Sequence, residues 1–509
     1  MTEAQRQAPL AARFLRSAEL FPDRPALEVQ GSTLSYAELR RRALGIAQLL
    51  LARDSPDREP QLTAVFASRS VGVFAGILGI LLRGHGYVPL NPRFPALRNR
   101  DMLERSGCRV LLVDEEDLDP AREVIDGLAD APALVRADQA QDEGEVAMPS
   151  AGFETPAYLL FTSGSTGRPK GVLVRQASVI PFLDAIAARY DLRETDRLSQ
   201  LFDLTFDLSA FDMFAAWQHG ACVCCPDAGH LLRPTDFVRD ARLTVWFSVP
   251  SAAMFVERLG GLNAGMFPTL RLSLFCGEAL PAELANGWGA AAPNSTVENL
   301  YGPTEATIAC TAHRWERDAR PGANGFVPIG EPIGTTAAHV VDDELEEVTP
   351  GEPGQLLLRG PQVVEGYWDD PVATARSFVT MRSNGRGFLT GDRVVRPSSG
   401  APLEYLGRVD SQIKILGHRV ELEEVEAVLR EEARAEAIAV GWPLTPSGAA
   451  GIVAFIAATS LDKVSLRRAL SARLPDYMVP RELRLVNELP LNANGKRDRK
   501  ALLSTLEAE

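Results

Sequence analysis

One stretch of this chain is suited to holding an anion. Leu159-Leu160-Phe161 is apolar and gives way abruptly to Thr162-Ser163-Gly164-Ser165-Thr166-Gly167-Arg168-Pro169-Lys170-Gly171. Glycines such as Gly164 and Gly167 admit positive φ and let backbone N–H groups converge on a ligand. Thr162, Ser163, Ser165 and Thr166 add hydroxyl donors, and Lys170 adds a mobile positive charge. A polyphosphate suits that chemistry. The spacing is not that of a Walker loop, because Gly171 stands where that motif needs its magnesium-binding hydroxyl. A flexible Ser/Gly surface loop is the plain structural alternative when such a loop stands alone, so the rest of the chain has to decide.

Composition narrows the possibilities. At 509 residues the chain exceeds what one hydrophobic core supports, so two or more domains are expected. The hydrophobic fraction of 46% and charged fraction of 24% are those of an ordinary globular protein. A net charge of −14 argues against nucleic acid or an anionic membrane as partner, so an anionic ligand must be held by local donors. Met1 to Ser17 has no sustained apolar run and is not read as a secretory signal. The longest apolar run, Val71 to Leu82, is too short to span a bilayer and reads as a buried helix. Six cysteines in a chain this long do not make a disulfide framework, and a cytoplasmic location is expected. The crowded Cys222, Cys224 and Cys225 lack the partners of a zinc site and read as a buried strand.

The elements that would position the loop alternate along the chain. Ala37 to Leu51 is amphipathic and helical, Thr63 to Phe66 strand-like, Val71 to Leu82 helical, Gly86 to Leu90 extended and Arg109 to Val113 a strand. Glu115 to Glu145 is acidic and weakly patterned, read as surface helix and loop. Thr244 to Phe247 and Leu272 to Phe275 are further strands, and Gly325 to Leu358 suggests a β-rich subdomain. Leu406 to Gly417 reads as a polar crossover, followed by a charged helix over Glu421 to Glu432. Gly451 to Ala457 and Glu482 to Val486 are strands flanking a helix at Ser465 to Leu474. The fold class is α/β: a large N-terminal domain of layered subdomains over residues 1–409, and a small, mobile C-terminal α/β domain over 410–509.

Ordered motifs over nearly the whole chain resemble those of the adenylate-forming superfamily, and within it the amino-acid adenylation domains of nonribosomal peptide synthesis. After Leu34-Ser35-Tyr36-Ala37-Glu38-Leu39, Arg83 to Leu90 and the loop come Phe206-Asp207-Leu208-Ser209 and Asn299-Leu300-Tyr301-Gly302-Pro303-Thr304-Glu305. Gly366-Tyr367-Trp368, Thr390-Gly391-Asp392, Gly407-Arg408-Val409-Asp410 and Gly417-His418-Arg419-Val420-Glu421 follow. Leu474 to Pro480 and Asn494-Gly495-Lys496 complete the series. The resemblance implies two half-reactions: a carboxylate attacks the α-phosphate of ATP with release of pyrophosphate, and a thiol then displaces AMP.

It also implies roles. Lys496, on a turn after Asn494-Gly495, is expected to reach the carboxylate and phosphate oxygens during adenylation. Asp392 is expected to accept from the ribose hydroxyls, Glu305 to help hold Mg²⁺, and Thr304 to lie near the α-phosphate. Tyr301 is expected near the adenine and Arg408 near ribose or phosphate. Asp410 is the expected hinge, whose rotation withdraws Lys496 and brings Lys414 to Gly417 to the site. The loop from Thr162 to Gly171 then becomes a cover for the β- and γ-phosphates. Gln176 and Asn91 depart from the usual family residues, histidine and aspartate, at positions without a part in the main chemistry.

Asp207 matches the aspartate that pairs with the α-ammonium of an amino acid; a helix N-cap is its plain structural alternative. The remaining lining positions are Leu208, Phe211, Phe247, Leu274, Cys276, Leu300, Ile308 and Ala309, all apolar. They favour a small aliphatic amino acid, with alanine first and glycine, 2-aminobutyrate, valine or proline behind it. The chain ends shortly after Lys496 without a carrier domain, so the expectation is a stand-alone ligase loading a separate carrier protein in trans. An acyl- or aryl-CoA ligase, a β-amino-acid enzyme and a non-catalytic nucleotide-binding relative are the alternatives.

Overall fold

The computed structural model describes residues 8–53, 59–141, 152–164, 167–322, 324–381, 385–445, 448–490 and 498–508. Ser165, Thr166 and Lys496 lie outside the described residues.

Short, largely apolar runs build the first sheet. Leu62–Phe66, Gly86–Leu90 and Val110–Val113 are buried at every position, as parallel strands covered on both faces must be. They sit in a six-stranded sheet with Ala133–Arg136 at one edge and Pro156–Thr162 then Lys170–Arg175 at the other. Every pairing is parallel except the last, so the anion-type loop connects an antiparallel pair. Ser35 and Glu38 form a reciprocal capping box at the start of helix Tyr36–Leu51, which explains locally the Leu34 to Leu39 motif. The apolar helix Val71–Leu82 packs closely on it: a Cβ on Gly79 would lie 2.9 Å from the Ala43 carbonyl oxygen.

A nine-stranded sheet forms the second layer, with Val245–Ser248, Leu272–Phe275 and Thr296–Tyr301 adjacent and parallel. Their carboxyl ends run into Val249-Pro250, Cys276-Gly277-Glu278 and Gly302-Pro303-Thr304-Glu305. That end is where open α/β sheets bind ligands. Cys222–Cys224 is a buried strand of this sheet, as expected. Glu28, Cys222 and Cys224 bring three potential ligand atoms within 4.8 Å of one another, but Arg197 already engages the Glu28 carboxylate.

A five-stranded antiparallel sheet follows, in which Gly385–Val395 pairs with Glu404–Arg408 and sets Asp392 opposite Arg408. The C-terminal part begins with the hairpin Gln412–Ile415 and His418–Glu421 and the helix Leu422–Ala433. Its three-stranded sheet joins Ala437–Gly441, Ile452–Ala457 and Glu482–Val486, and its apolar clusters draw on residues from Ile413 onward. The architecture is thus mixed α/β, with a large N-terminal and a small C-terminal domain. Among the described residues no helix is long and apolar enough to cross a membrane.

Two local expectations are corrected. Ala133–Arg136, within the segment read as helix and loop, is an edge strand pairing with Val110–Val113. Only Val135 of its four residues is buried, so its own pattern carries no strand signal. The supposed polar crossover from Leu406 to Gly417 contains the end of one strand, Glu404–Arg408, and all of another, Gln412–Ile415. Both owe their conformation to partners elsewhere in the chain rather than to an alternating pattern.

Trp288 anchors the core beside the second sheet, fully buried with the rings of Trp246, Phe267 and Phe275 centred 5.2 to 5.3 Å away. Trp288→Ala is expected to destabilise the fold by about 3–5 kcal/mol. The measurement is the urea midpoint, which should fall without a change in slope.

Candidate functional site

Two adjoining cavities open at the carboxyl ends of the parallel strands. The first, about 100 Å³, is bordered by Thr162, Ser163, Asp207, Leu208, Tyr301, Thr304, Asp392, Arg408 and Lys414. The second, about 380 Å³, shares Gly277, Tyr301, Asp392, Arg408 and Lys414 and adds Glu278, Ala279, Asn299 and Leu300. Residues as far apart in sequence as Thr162 and Lys414 are thus brought together. Sequence reading missed the Gly277-Glu278-Ala279 segment, although a glycine directly after an apolar strand was the available signal.

Asp207 stands at the N-cap position of helix Leu208–Trp217, but its side chain does not cap the helix. Instead its Oδ2 accepts from the Ile308 N–H at 3.0 Å. Burial pushes its pKa up to about 7, against the lowering effect of the Ile308 N–H and the Thr304 hydroxyl. Ile308 donates from an unusual backbone: Thr307 and Ile308 have φ of 55° and 69°, a left-handed pair at two β-branched residues. Such conformations cost about 1–3 kcal/mol each and persist where surrounding contacts over-determine them. Gly302 allows the approach, since a Cβ there would lie 2.5 Å from Ala309 Cα.

The other expected lining residues, Phe211, Phe247, Leu274, Cys276, Leu300, Ile308 and Ala309, are at most 1% exposed and belong with Leu208 to one apolar cluster. Phe247 packs edge-on against both Phe202 and Phe211, at centroid distances of 4.8 and 4.7 Å. Little room is left beside Asp207.

Asp392 accepts from Tyr301 Oη and, at 2.9 Å, from Arg408, whose guanidinium also grips Asp410. Burial lowers the Arg408 pKa, but the carboxylates of Asp392 and Asp410 outweigh it and raise the net value. Lys414 borders both cavities; burial pushes its ammonium below the ordinary value, with Asp392 opposing.

Glu305 has no exposed side-chain surface. Both its oxygens accept from Arg419, at 3.1 and 2.9 Å, and Oε1 also accepts from Tyr367 Oη at 2.7 Å. Burial would raise its pKa, yet the Arg419 and Lys170 charges hold the carboxyl below its usual range. Lys170 lies 3.9 Å from Glu421 and 4.9 Å from the centre of the Tyr367 ring. Ser163 donates to the Arg419 carbonyl at 2.8 Å and accepts from the Glu421 N–H, while the Gly164 N–H donates to Glu424 at 3.1 Å. Arg98 closes the group with a buried 2.6 Å ion pair to Glu424. The partners Arg98, Arg419 and Glu424 were not singled out by sequence. Arg419 lay inside a quoted motif without an assigned role, and nothing local links Arg98 to a residue 326 positions away. Gln176, one of the departures, accepts from the Leu10 N–H.

The AMP-binding enzyme profile matches residues 14–368, and the profile of the AMP-binding enzyme C-terminal domain matches 424–496. The chain belongs to the AMP-binding enzyme family. Within this adenylate-forming family it resembles nonribosomal peptide synthetase adenylation domains. It is 34% identical over 497 residues to tyrocidine synthase 3 of Brevibacillus parabrevis, covering 96% of this chain and 7% of that protein. It is 34% identical over 522 residues to a dimodular nonribosomal peptide synthase of Bacillus subtilis, covering 98% of this chain and 21% of that one. The chain therefore spans about a fifth or less of the length of these relatives. Among solved structures it is similar to the Vibrio cholerae adenylation domain AlmE in complex with glycyl-adenosine-5'-phosphate. That match has 30% identity and a TM-score of 0.89 over 98% of each chain.

The raised Asp207 pKa sets a sign. Its stabilising contribution is complete below the ordinary value of 3.8 and is lost as pH rises to about 7. Ligand-free wild type should lose melting temperature relative to Asp207→Asn across that interval. A difference that stays constant with pH would refute a buried carboxylate without a cation.

Proposed function

We propose that this chain activates a small aliphatic α-amino acid, alanine or glycine, with ATP, and passes the aminoacyl group to the phosphopantetheine thiol of a carrier protein. Asp207 carries the reading. Among the described residues this buried carboxylate has no cation contact, and it stands before a closed apolar wall. A substrate ammonium supplies the missing charge, and a large or polar side chain has no space or partner. A fatty or aryl acid leaves Asp207 without a cation, which disfavours the acyl-CoA ligase alternative.

In the first half-reaction a carboxylate oxygen attacks the α-phosphorus and the bond to pyrophosphate breaks. In the second, the thiol sulfur attacks the carbonyl carbon, the bond to AMP breaks and the thiol proton leaves to solvent. Asp392 and Tyr301 suit the ribose and adenine, and the cavity bordered by Gly277, Ala279 and Asn299 suits the base. Thr304, beside Asp207, is assigned to the α-phosphate, and Lys496 to the charge that develops in adenylation.

Glu305 has the chemistry of a hard-cation ligand, a buried carboxylate kept ionised among basic groups. A bound Mg²⁺ would neutralise phosphate charge there. Arg419, however, takes both oxygens in this arrangement. The hairpin ending in Glu421 and the helix after it thus substitute for ligand by charge: Arg419 on Glu305, Glu421 near Lys170, Glu424 on the Gly164 N–H. We assign this arrangement to the state after pyrophosphate has left, with the C-terminal domain turning about Asp410 and Lys414 brought to the site.

Amino-acid-dependent pyrophosphate exchange over a panel including β-amino acids tests the substrate. Alanine or glycine should lead, and preference for a charged or aromatic amino acid would overturn the pocket assignment. Lys496→Ala should lower exchange by about 10²–10³-fold, and unchanged exchange would refute its role. Arg419→Gln should leave exchange within a few-fold and slow aminoacyl transfer to a thiol by about tenfold or more. Both half-reactions are measured separately, and equal losses in the two would contradict the assignment.

A further inference from the structure

The left-handed turn at Thr307 and Ile308 needs something to hold it. Successive left-handed residues turn the Ala306, Thr307 and Ala309 carbonyls inward, and these residues are wholly buried, out of reach of solvent. All three carbonyls meet one side chain. Gln362, 1% exposed, donates from Nε2 to the Ala309 oxygen at 2.8 Å and approaches those of Ala306 and Thr307 at 3.4 Å. Its orientation is set from the other end, where the Thr336 hydroxyl donates to Gln362 Oε1 at 2.9 Å. Its own carbonyl accepts from the Thr307 hydroxyl at 2.6 Å, so amide and main chain grip the turn together. Two residues on, the Val364 N–H donates to the Glu305 carbonyl and ties the same segment to the start of the turn.

What this turn presents is recognition chemistry. The Ile308 N–H is the donor to Asp207, and Ile308 and Ala309 stand in the apolar wall with Phe211 and Phe247. We propose that Gln362 is a positioning residue for amino-acid selection, acting through the Thr307–Ile308 turn on Asp207 and on the pocket wall. This rests on the amino-acid-activating role proposed above and adds a determinant that touches no substrate. Met in place of Gln362 keeps the length but offers no donor, so the buried carbonyls lose their partner and the turn relaxes toward ordinary φ. Asp207 then loses its fixed donor and the wall its shape, whereas the nucleotide cavity is untouched. Thr336→Val removes only the bond that orients the amide, and its effect should be smaller.

Pyrophosphate exchange on the full chain, with amino acid and ATP varied separately, tests this alongside melting temperature. Gln362→Met should raise the amino-acid KM at least tenfold, keep the ATP KM within twofold, and narrow the preference between alanine and valine. Thr336→Val should shift the amino-acid KM in the same direction by less. If Gln362→Met does not fold, Thr336→Val supplies the comparison. Parallel changes in both KM values, or an amino-acid KM unmoved in the folded variants, overturn the proposal while leaving the functional reading intact. A wild type that exchanges pyrophosphate with no amino acid overturns both.

Discussion

A carboxylate taken out of water must find a cation or give up its charge, and the whole site is arranged around that constraint. Glu305 is the sharpest case: it has no solvent exposure and stays ionised because Arg419 and Lys170 surround it. Arg419 comes from the C-terminal hairpin and Lys170 from the start of strand Lys170–Arg175, so satisfying one buried charge draws together three distant parts of the chain. Asp392 meets the same need through Arg408, placed opposite it by strand register. Asp207 is the exception. Among the described residues it receives N–H and O–H donors without a cationic contact, and burial raises its pKa. In the function proposed above, a substrate ammonium supplies the missing charge.

The same bookkeeping explains how the small domain can dock. Its first hairpin and following helix carry Arg419, Glu421 and Glu424 toward the cleft, and each meets a group of opposite character there. The Arg98–Glu424 pair is almost fully buried, so separation exposes both charges to water rather than stranding either in an apolar interior. In the function proposed above, ligand phosphates and a metal would offer the N-terminal groups equivalent partners. Two arrangements that satisfy the same charges in different ways are what a domain rotation needs, because neither leaves a buried ion alone.

Backbone strain enters the pocket wall at the Thr307–Ile308 turn. Thr307 and Ile308 are poor residues for a left-handed turn, and a glycine would adopt it freely. Their side chains are nevertheless put to use: the Thr307 hydroxyl binds the Gln362 carbonyl, and Ile308 packs in the wall beside Asp207. Gly302, by contrast, has to be glycine, because the main chain at Ala309 and Cys310 passes where a Cβ would be.

Much of this was legible in the residues alone. The apolar runs at Leu62–Phe66 and Leu272–Phe275, the Ser35–Glu38 box and the order of motifs announced an α/β chain with a nucleotide cleft and a second domain. Local pattern determines those features: burial on both faces requires continuous apolar strands, and a helix start requires its own cap. Asp207, Asp392 and Glu305 could be named because each falls within one of those ordered motifs. Only the tertiary structure decided who neutralises them. Arg419, Arg98, Glu424 and Gln362 act across 114, 326 and 53 positions of sequence, in pairings no periodicity encodes. The edge strand Ala133–Arg136 and the strand Gln412–Ile415 were hidden for a related reason, since a short strand with little burial takes its conformation from its neighbour. Electrostatic compensation and edge pairing depend on distance in space, and a linear sequence does not carry that distance.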